Sequence, residues 1–143
     1  MAHGLNYFDS AWHYIENQLM IGKCLAKYPR ESYILAGKLC FTNGTLETLE
    51  AALEAFEKEL RDARTDYMDL ELIHTLGSPG SLQRVEDLDI WGFMQELKAQ
   101  GRIRHWGFSY HSTRRSKRCL TRPIPLKPLC PGHFGMPLLL TAF

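Results

Sequence analysis

The sequence has 143 residues, of which 45% are hydrophobic, and its formal net charge is +1. That length suits one ordinary domain, and the hydrophobic share is sufficient for a packed core. The near-neutral charge gives no indication of a nucleic-acid or membrane partner. No apolar run approaches the roughly 20 residues that a membrane-spanning helix needs.

Residues 5–109 alternate between short apolar runs and amphipathic segments. The apolar runs predict four strands, at Leu5–Asp9, Ser32–Leu39, Tyr67–Ile73 and Ile103–Ser109. The amphipathic segments predict three helices, at Glu16–Lys27, Thr45–Arg64 and Val85–Ala99. The order β-α-β-α-β-α-β, with mostly apolar strands, predicts an α/β fold with a parallel sheet. Either an open doubly wound sheet or part of a (β/α)₈ barrel would fit.

The second predicted helix has the clearest pattern. Its leucines and phenylalanine recur three and four residues apart, at Leu46, Leu49, Leu53, Phe56 and Leu60. Thr45 stands at its start and is expected to cap it. We expect that stripe to face the core.

The composition changes at residue 113. Residues 1–112 carry all 16 acidic side chains against 11 Lys and Arg, whereas residues 113–143 carry six Lys and Arg and no acid. Five prolines lie between residues 123 and 137, without helical or strand periodicity. We therefore expect a folded domain over 1–112 and a basic, Pro-rich, irregular and disordered tail over 113–143. Binding of nucleic acid or acidic lipid by the tail is a weaker alternative, because no aromatic residues interleave with the bases.

The four cysteines are widely spaced, at Cys24, Cys40, Cys119 and Cys130. No pair has the two-residue spacing typical of zinc or iron–sulfur sites, so no metal is expected. Without a signal peptide, the cysteines are expected to be reduced thiols of a cytoplasmic protein.

Reactive side chains follow the predicted strands where each strand ends. Asp9, Lys38, His74 and Ser109 stand at the four successive ends, and Tyr14 lies in the loop after the first. Each has an ordinary structural explanation, such as a turn-capping aspartate or a lysine that reaches solvent. Because the carboxyl ends of parallel strands meet at one edge of the sheet, the set together favours an active site.

These residue types suit proton donation. A phenol has an ordinary pKa of about 10, and a neighbouring ammonium such as that of Lys38 would stabilise its anion. Asp9 would keep Lys38 protonated, and His74 would hydrogen-bond a substrate oxygen or help deliver the proton. Tyr14 would then protonate a carbonyl oxygen, while a nicotinamide cofactor would supply hydride.

Four separated motifs carry a family resemblance, namely GLNYFDSAWHY, KYPRESYILAGKL, RTDYMDLELIH and GRIRHWGFSYH. Over about residues 4–112 the sequence resembles the aldo-keto reductases, closest to the branch with a C-terminal ferredoxin-like segment. The resemblance implies an incomplete (β/α)₈ TIM barrel, about half of one, covering strands 2–5, since a complete barrel needs roughly 250 residues.

The resemblance also implies an activity and its residues. The expected reaction is NADP(H)-dependent reduction of a small-molecule carbonyl, or oxidation of an alcohol. Asp9, Tyr14, Lys38 and His74 would be catalytic, with Tyr14 as the general acid. Ser109 would contact the nicotinamide carboxamide, and Asp9 would also contact the cofactor.

The sequence departs from the family pattern at several points. Gly37 replaces a commonly hydroxylated residue, Tyr110 stands where many members have an amide, and the loop IENQLMIG is about two residues shorter. The iron–sulfur motif is absent, so no such cluster is expected. An alternative interpretation is an inactive fragment that self-associates, because a four-stranded parallel sheet would leave two unpaired edges.

Overall fold

The computed structural model describes residues 4–14, 16–42, 44–76 and 80–110, together with the backbone of two later strands. The strands are β1 Tyr7–Asp9, β2 Ile34–Cys40, β3 Met68–His74, β4 Ile103–Ser109, β5 Leu126–Pro128 and β6 Leu138–Thr141. The helices are α1 Asn17–Leu25, α2 Leu49–Ala63, α3 Ser81–Asp87 and α4 Ile90–Ala99, with a short 3₁₀ turn at Arg30–Ser32.

The first four strands form a parallel sheet in chain order, β1-β2-β3-β4. A doubly wound sheet would reverse its strand order after the first units. The uninterrupted order therefore favours the barrel alternative. The predicted parallel α/β fold is confirmed, and each of the four predicted strands is present within two residues of its expected bounds.

The outer edge of β4 is covered by β6, which runs antiparallel to it and pairs Ser109 with Leu138. β5 in turn pairs antiparallel with β6. The expectation of an unpaired parallel edge is therefore wrong at β4, and the edge strands of the described sheet are β1 and β5. Both short strands lie inside the predicted tail. The rest of residues 113–143 lies outside the described part, so the boundary at residue 112 and the disorder stay predictions.

Helix α2 begins later than predicted. Thr48 caps it, since its hydroxyl accepts a hydrogen bond from the Ala51 N–H at 3.1 Å. Thr45 instead donates to the Cys40 carbonyl at 2.7 Å and stabilises the preceding turn. The predicted leucine stripe is partly wrong, because Leu49 and Leu53 are 38% and 42% exposed. The buried face combines three alanines with two large apolar residues and a carboxyl group, namely Ala52, Ala55, Ala63, Phe56, Leu60 and Glu59.

The predicted helix Val85–Ala99 is two helices. The chain turns at Asp89, whose φ of 48° is left-handed and interrupts the helix. Its carboxylate accepts from the Gly92 N–H at 3.2 Å and so caps α4. Val85 and Met94 are both fully buried, so one apolar stripe continues across the break. That continuity explains why periodicity alone predicted one helix.

The two faces of the sheet are different in kind. On β2 and β3, Ala36, Leu70 and Leu72 form a small apolar cluster on one face, the same face that carries Lys38. Gly37 and its partner Glu71 lie on the opposite face, which the helices cover. The main core lies on that helix side and includes Phe56 and Phe108. In the described part of the chain, no helix has both the length and the apolar character needed to cross a membrane.

Candidate active site

The carboxyl ends of β1 and β2 bring Asp9 and Lys38 together. Lys38 is only 4% exposed, yet its ammonium group forms an ion pair with Asp9 and donates to the Ser10 carbonyl at 2.8 Å. A buried charge is tolerated when it is paired in this way. The lysine is therefore fixed at the strand ends by one carboxylate and one peptide oxygen.

Tyr14 lies above this pair because the chain turns tightly after β1. The Tyr14 N–H donates to the Ala11 carbonyl at 2.9 Å, and the Asn17 N–H donates to the Tyr14 carbonyl at 3.0 Å. The Lys38 nitrogen lies 5.4 Å from the centre of the Tyr14 ring. The ring of His74, at the end of β3, lies 5.9 Å from that of Tyr14. The four predicted catalytic residues thus share one site, with Tyr14 39% exposed at its mouth.

The electrostatic environment of Tyr14 differs from the expectation. Burial raises the pKa of Tyr14, and its neighbours Asp9 and Cys40 raise it further. The Lys38 ammonium lies near the Tyr14 ring, and its charge is paired with Asp9. Stabilisation of the phenolate by Lys38 stays a prediction. Tyr14 keeps its proton at neutral pH.

His13 is a further member of the site that the sequence analysis missed. Its ring lies 4.8 Å from that of His74 and 5.0 Å from that of Tyr14. Burial lowers the pKa of His13, and the charge of Lys38 lowers it further. The imidazole is therefore mainly neutral near pH 7. Its position next to Tyr14 in the same loop was the available signal.

Ser109 is tied to the turn that follows His74. The Ser109 hydroxyl oxygen accepts from the Thr75 N–H at 3.1 Å, and its carbonyl accepts from the Leu76 N–H at 2.8 Å. Ser109 is 2% exposed. Tyr110 is also buried, with its ring 6.0 Å from that of Phe108, so it belongs to the core.

The described residues contain no group of three or more His, Cys, Asp and Glu side chains placed to hold a metal ion. Cys24 is an exposed free thiol and Cys40 a buried one. Cys119 and Cys130 lie outside the described residues.

Comparison with known proteins identifies the family. The sequence profile of the Aldo/keto reductase family matches residues 1–129. The methylglyoxal reductase YeaE of Escherichia coli K12 is 34% identical over 108 residues, which are 74% of this chain and 34% of that protein. The 3-alpha-hydroxysteroid dehydrogenase of Rattus norvegicus is 26% identical over 145 residues, covering 89% of this chain and 45% of that protein.

Solved structures show the same relationship. The holo form of the aldo-keto reductase AKR11C1 from Bacillus halodurans superposes with a TM-score of 0.65 at 33% identity, covering 83% of this chain and 41% of that one. An aldo/keto reductase from Klebsiella pneumoniae in complex with NADP and acetate gives a TM-score of 0.65 at 28% identity, covering 84% and 40%. The chain spans less than half the length of each of these relatives.

The sequential parallel strands, the profile match and the structural neighbours agree with one another. The four parallel strands and their helices form about half of a (β/α)₈ barrel. The chain belongs to the aldo-keto reductase family.

Proposed function

We propose that this chain carries the proton-donating part of an NADP(H)-dependent carbonyl reductase. The observation that supports it is the cluster at the strand ends, where the Asp9–Lys38 ion pair lies beside Tyr14 and His74. Tyr14 is the proposed general acid. Because burial raises its pKa, it is protonated at neutral pH and has a proton to give.

The other residues support that transfer. His74 hydrogen-bonds the substrate oxygen and aligns it with the Tyr14 hydroxyl. Lys38, held by Asp9, supplies a fixed positive charge near the oxygen as negative charge develops on it. Stabilisation of this kind needs no reorganisation of the site during the reaction, since the ion pair already exists.

A bound nicotinamide cofactor would supply the hydride. The residues that fit its reactive end are Asp9 and Ser109. Asp9 is partly exposed at the same strand ends as Tyr14. The Ser109 hydroxyl oxygen already accepts a peptide N–H, so its hydrogen can donate to an amide oxygen such as that of a carboxamide.

The test is a titration of the full chain with NADPH, followed by the change in cofactor fluorescence. We expect saturable binding below about 1 mM, the upper end of ordinary Michaelis constants. NADPH consumption would then be measured with methylglyoxal, because a reductase of that substrate is among the relatives. The same titration on Ser109→Ala, which removes a proposed cofactor contact, should show weaker NADPH binding. No binding up to that concentration would exclude catalysis by this chain alone.

The alternative is an inactive chain that acts through self-association. It is favoured by the edge of β1, which is unpaired on one side among the described residues, and by Tyr7, which is 40% exposed there. Such an edge can pair with the same edge of a second copy. Light scattering would test this, and a stable monomer at all accessible concentrations would contradict it. A cytoplasmic location stays a proposal.

A further inference from the structure

A second group of ionisable side chains lies behind Lys38, on the helix-facing side of the sheet. Glu71 on β3 is the register partner of Gly37 on β2, directly before Lys38. Glu59 reaches the same place from α2, and Gln18 reaches it from α1. Neither carboxyl group belongs to the proposed reaction, since both are on the face opposite the Lys38 side chain.

Both carboxyl groups are completely buried, each with 0% exposure. The Gln18 amide donates to Glu59 Oε1. Within the described residues, neither carboxyl oxygen of Glu71 has a hydrogen-bond donor. The Lys38 backbone N–H and the Glu71 carboxyl approach the Glu59 carboxyl, and both contacts lower its pKa against the effect of burial. Two adjacent buried carboxylates with so few donors would be strongly unfavourable. A proton retained on either group supplies the missing donor as an O–H···O bond between them.

Gly37 shows how closely the two groups converge. A Cβ atom at residue 37 would collide with the Glu71 carboxyl and would lie 3.1 Å from Glu59 Oε2. The absence of a side chain therefore creates the space that the pair occupies. The two carboxyl groups rest against the peptide segment that leads into Lys38, and α2 is held to the sheet at the same point.

The surrounding charges are few. Burial raises the pKa of Glu59 to about 8 and raises the pKa of Glu71 well above its ordinary value of 4.5. Lys38 is the cation whose field opposes both rises, while Gln18 from α1 contributes a neutral amide. On β4 the register partner of Glu71 is Trp106, which does not ionise. The pKa values of the pair are therefore raised mainly by burial, and that of Glu71 is raised further by the charge of Glu59.

We propose that Glu59 and Glu71 form a proton-holding pair that fastens α2 to the back of β2 behind Lys38, and that α2 loosens when the pair loses its protons in mildly alkaline solution. The pair is a proton-binding site built into the packing of the helix. This inference stands apart from the proposed reductase function, because it concerns the opposite face of the sheet and does not need cofactor binding.

Infrared spectroscopy tests the protonation directly. At about pH 6, between the ordinary and the raised carboxyl pKa values, the full chain should show the carbonyl stretch of a buried, protonated carboxylic acid. The band should disappear in the double variant Glu59→Gln with Glu71→Gln, and it should persist in Asp9→Asn. A wild-type spectrum without this band would overturn the proposal.

Hydrogen exchange tests the coupling to α2. Once corrected for intrinsic rates, the opening of α2 should become more frequent by about tenfold per pH unit for each proton released on opening, between about pH 6 and pH 8. The internal control is α4, whose corrected protection should change far less. The single variant Glu59→Gln keeps an amide donor for Glu71 and should flatten the pH response of α2.

The alternative outcomes are distinct. Equal changes in α2 and α4 would mean that alkaline pH weakens the whole domain, which would contradict a local pair. A wild-type pH response that Glu59→Gln and Glu71→Gln both leave unchanged would also overturn the proposal. If the double variant does not fold, the two single variants carry the comparison.

Discussion

Two aspartates at opposite ends of the sheet have very different surroundings. Asp69, near the amino-terminal end of β3, has a side chain that is 8% exposed and accepts from Arg30 at 2.7 Å, from Arg104 at 2.9 Å and from the Leu35 N–H at 3.0 Å. Asp9, at the carboxyl end of β1, is 39% exposed and has one ion-pair partner, Lys38. The first carboxylate has most of its acceptor capacity filled, and the second keeps a solvent-facing side.

The residues around the two aspartates repeat this difference. Arg30 also donates to the Thr65 hydroxyl at 2.7 Å and to the Tyr67 carbonyl at 3.0 Å, and its guanidinium lies 4.0 Å from the centre of the Tyr67 ring. At the other end, the ring of Tyr14 lies near Lys38 and His74, and the residue is 39% exposed. In β/α barrels the amino-terminal end serves stability and the carboxyl end serves chemistry. In this chain the Asp69 ion-pair network lies at the amino-terminal end and the proposed site lies at the carboxyl end.

The largest expected effect is on activity at the carboxyl end of the strands, where Tyr14 lies. Tyr14→Phe removes the proposed acid and should lower the rate of carbonyl reduction by about 100- to 10,000-fold. Its unfolding free energy should change by less than about 0.5 kcal/mol, because the hydroxyl is not part of a buried network. Steady-state rates of NADPH consumption and urea unfolding would measure the two quantities. A large loss of unfolding free energy in Tyr14→Phe would contradict the view that the carboxyl end contributes to activity and the amino-terminal end to stability.

At the amino-terminal end of the strands, Asp69→Asn should lower the unfolding free energy by about 3–5 kcal/mol. The substitution leaves the guanidinium groups of Arg30 and Arg104 without their buried counter-charge. Denaturant unfolding would measure this. The matched control is Asp62→Asn, which breaks the surface ion pair with Lys58 and should cost less than about 1 kcal/mol. Equal losses in the two variants would show that the Asp69 network has no special role.

The buried carboxyl pair makes stability depend on pH. Glu59 has a folded-state pKa of about 8, above its ordinary 4.5, so the folded chain holds more protons than the unfolded chain between those values. The contribution is therefore complete below about pH 4.5 and is lost as pH rises through about 8, at about 1.4 kcal/mol per pH unit for each proton. Denaturant unfolding at successive pH values would measure the slope. Tyr14→Phe should leave that slope unchanged, whereas Glu71→Gln should reduce it.

The smallest effect is expected at Arg104, the most exposed member of the Asp69 ion-pair network. The Arg104 side chain is 55% exposed, against 18% for Arg30. Arg104→Gln should therefore cost less than about 1 kcal/mol of unfolding free energy. Arg30→Gln should cost clearly more, since several buried acceptors lose their donors. A reversed order would place the centre of the network at Arg104.

The sequence predicted the parallel sheet well because its strands are apolar runs of ordinary length. The predicted strand Ile103–Ser109 coincides with β4. The predicted helices were less accurate where apolar side chains are exposed, as Leu49 and Leu53 are on α2. The predicted stripe on α2 was partly wrong, since Leu49 and Leu53 are exposed while Ala52, Ala55 and Ala63 are buried. The pairing of β6 with β4 had no signal in the sequence, because long-range antiparallel pairing leaves no local periodicity.

The sequence predicted which residues lie together at the site better than it predicted the direction of their pKa changes. Asp9, Tyr14, Lys38 and His74 come together because they lie near the carboxyl ends of neighbouring parallel strands or in the loop that follows. Strand positions alone do not give the direction of a pKa change. That direction depends on whether the Lys38 ammonium approaches the ring or the oxygen of Tyr14, which only the folded turn decides. The roles of the four residues stay predictions.

The strand β6 has a consequence for any attempt to complete the barrel. A further β/α unit added in trans would need the same hydrogen-bonding groups of Gly107–Ser109 that β6 uses. Because β6 is tethered to β4 by its own chain, its effective local concentration is on the order of millimolar. A complementing half-barrel must therefore displace a built-in competitor. Deleting residues 126–143 should make such complementation easier.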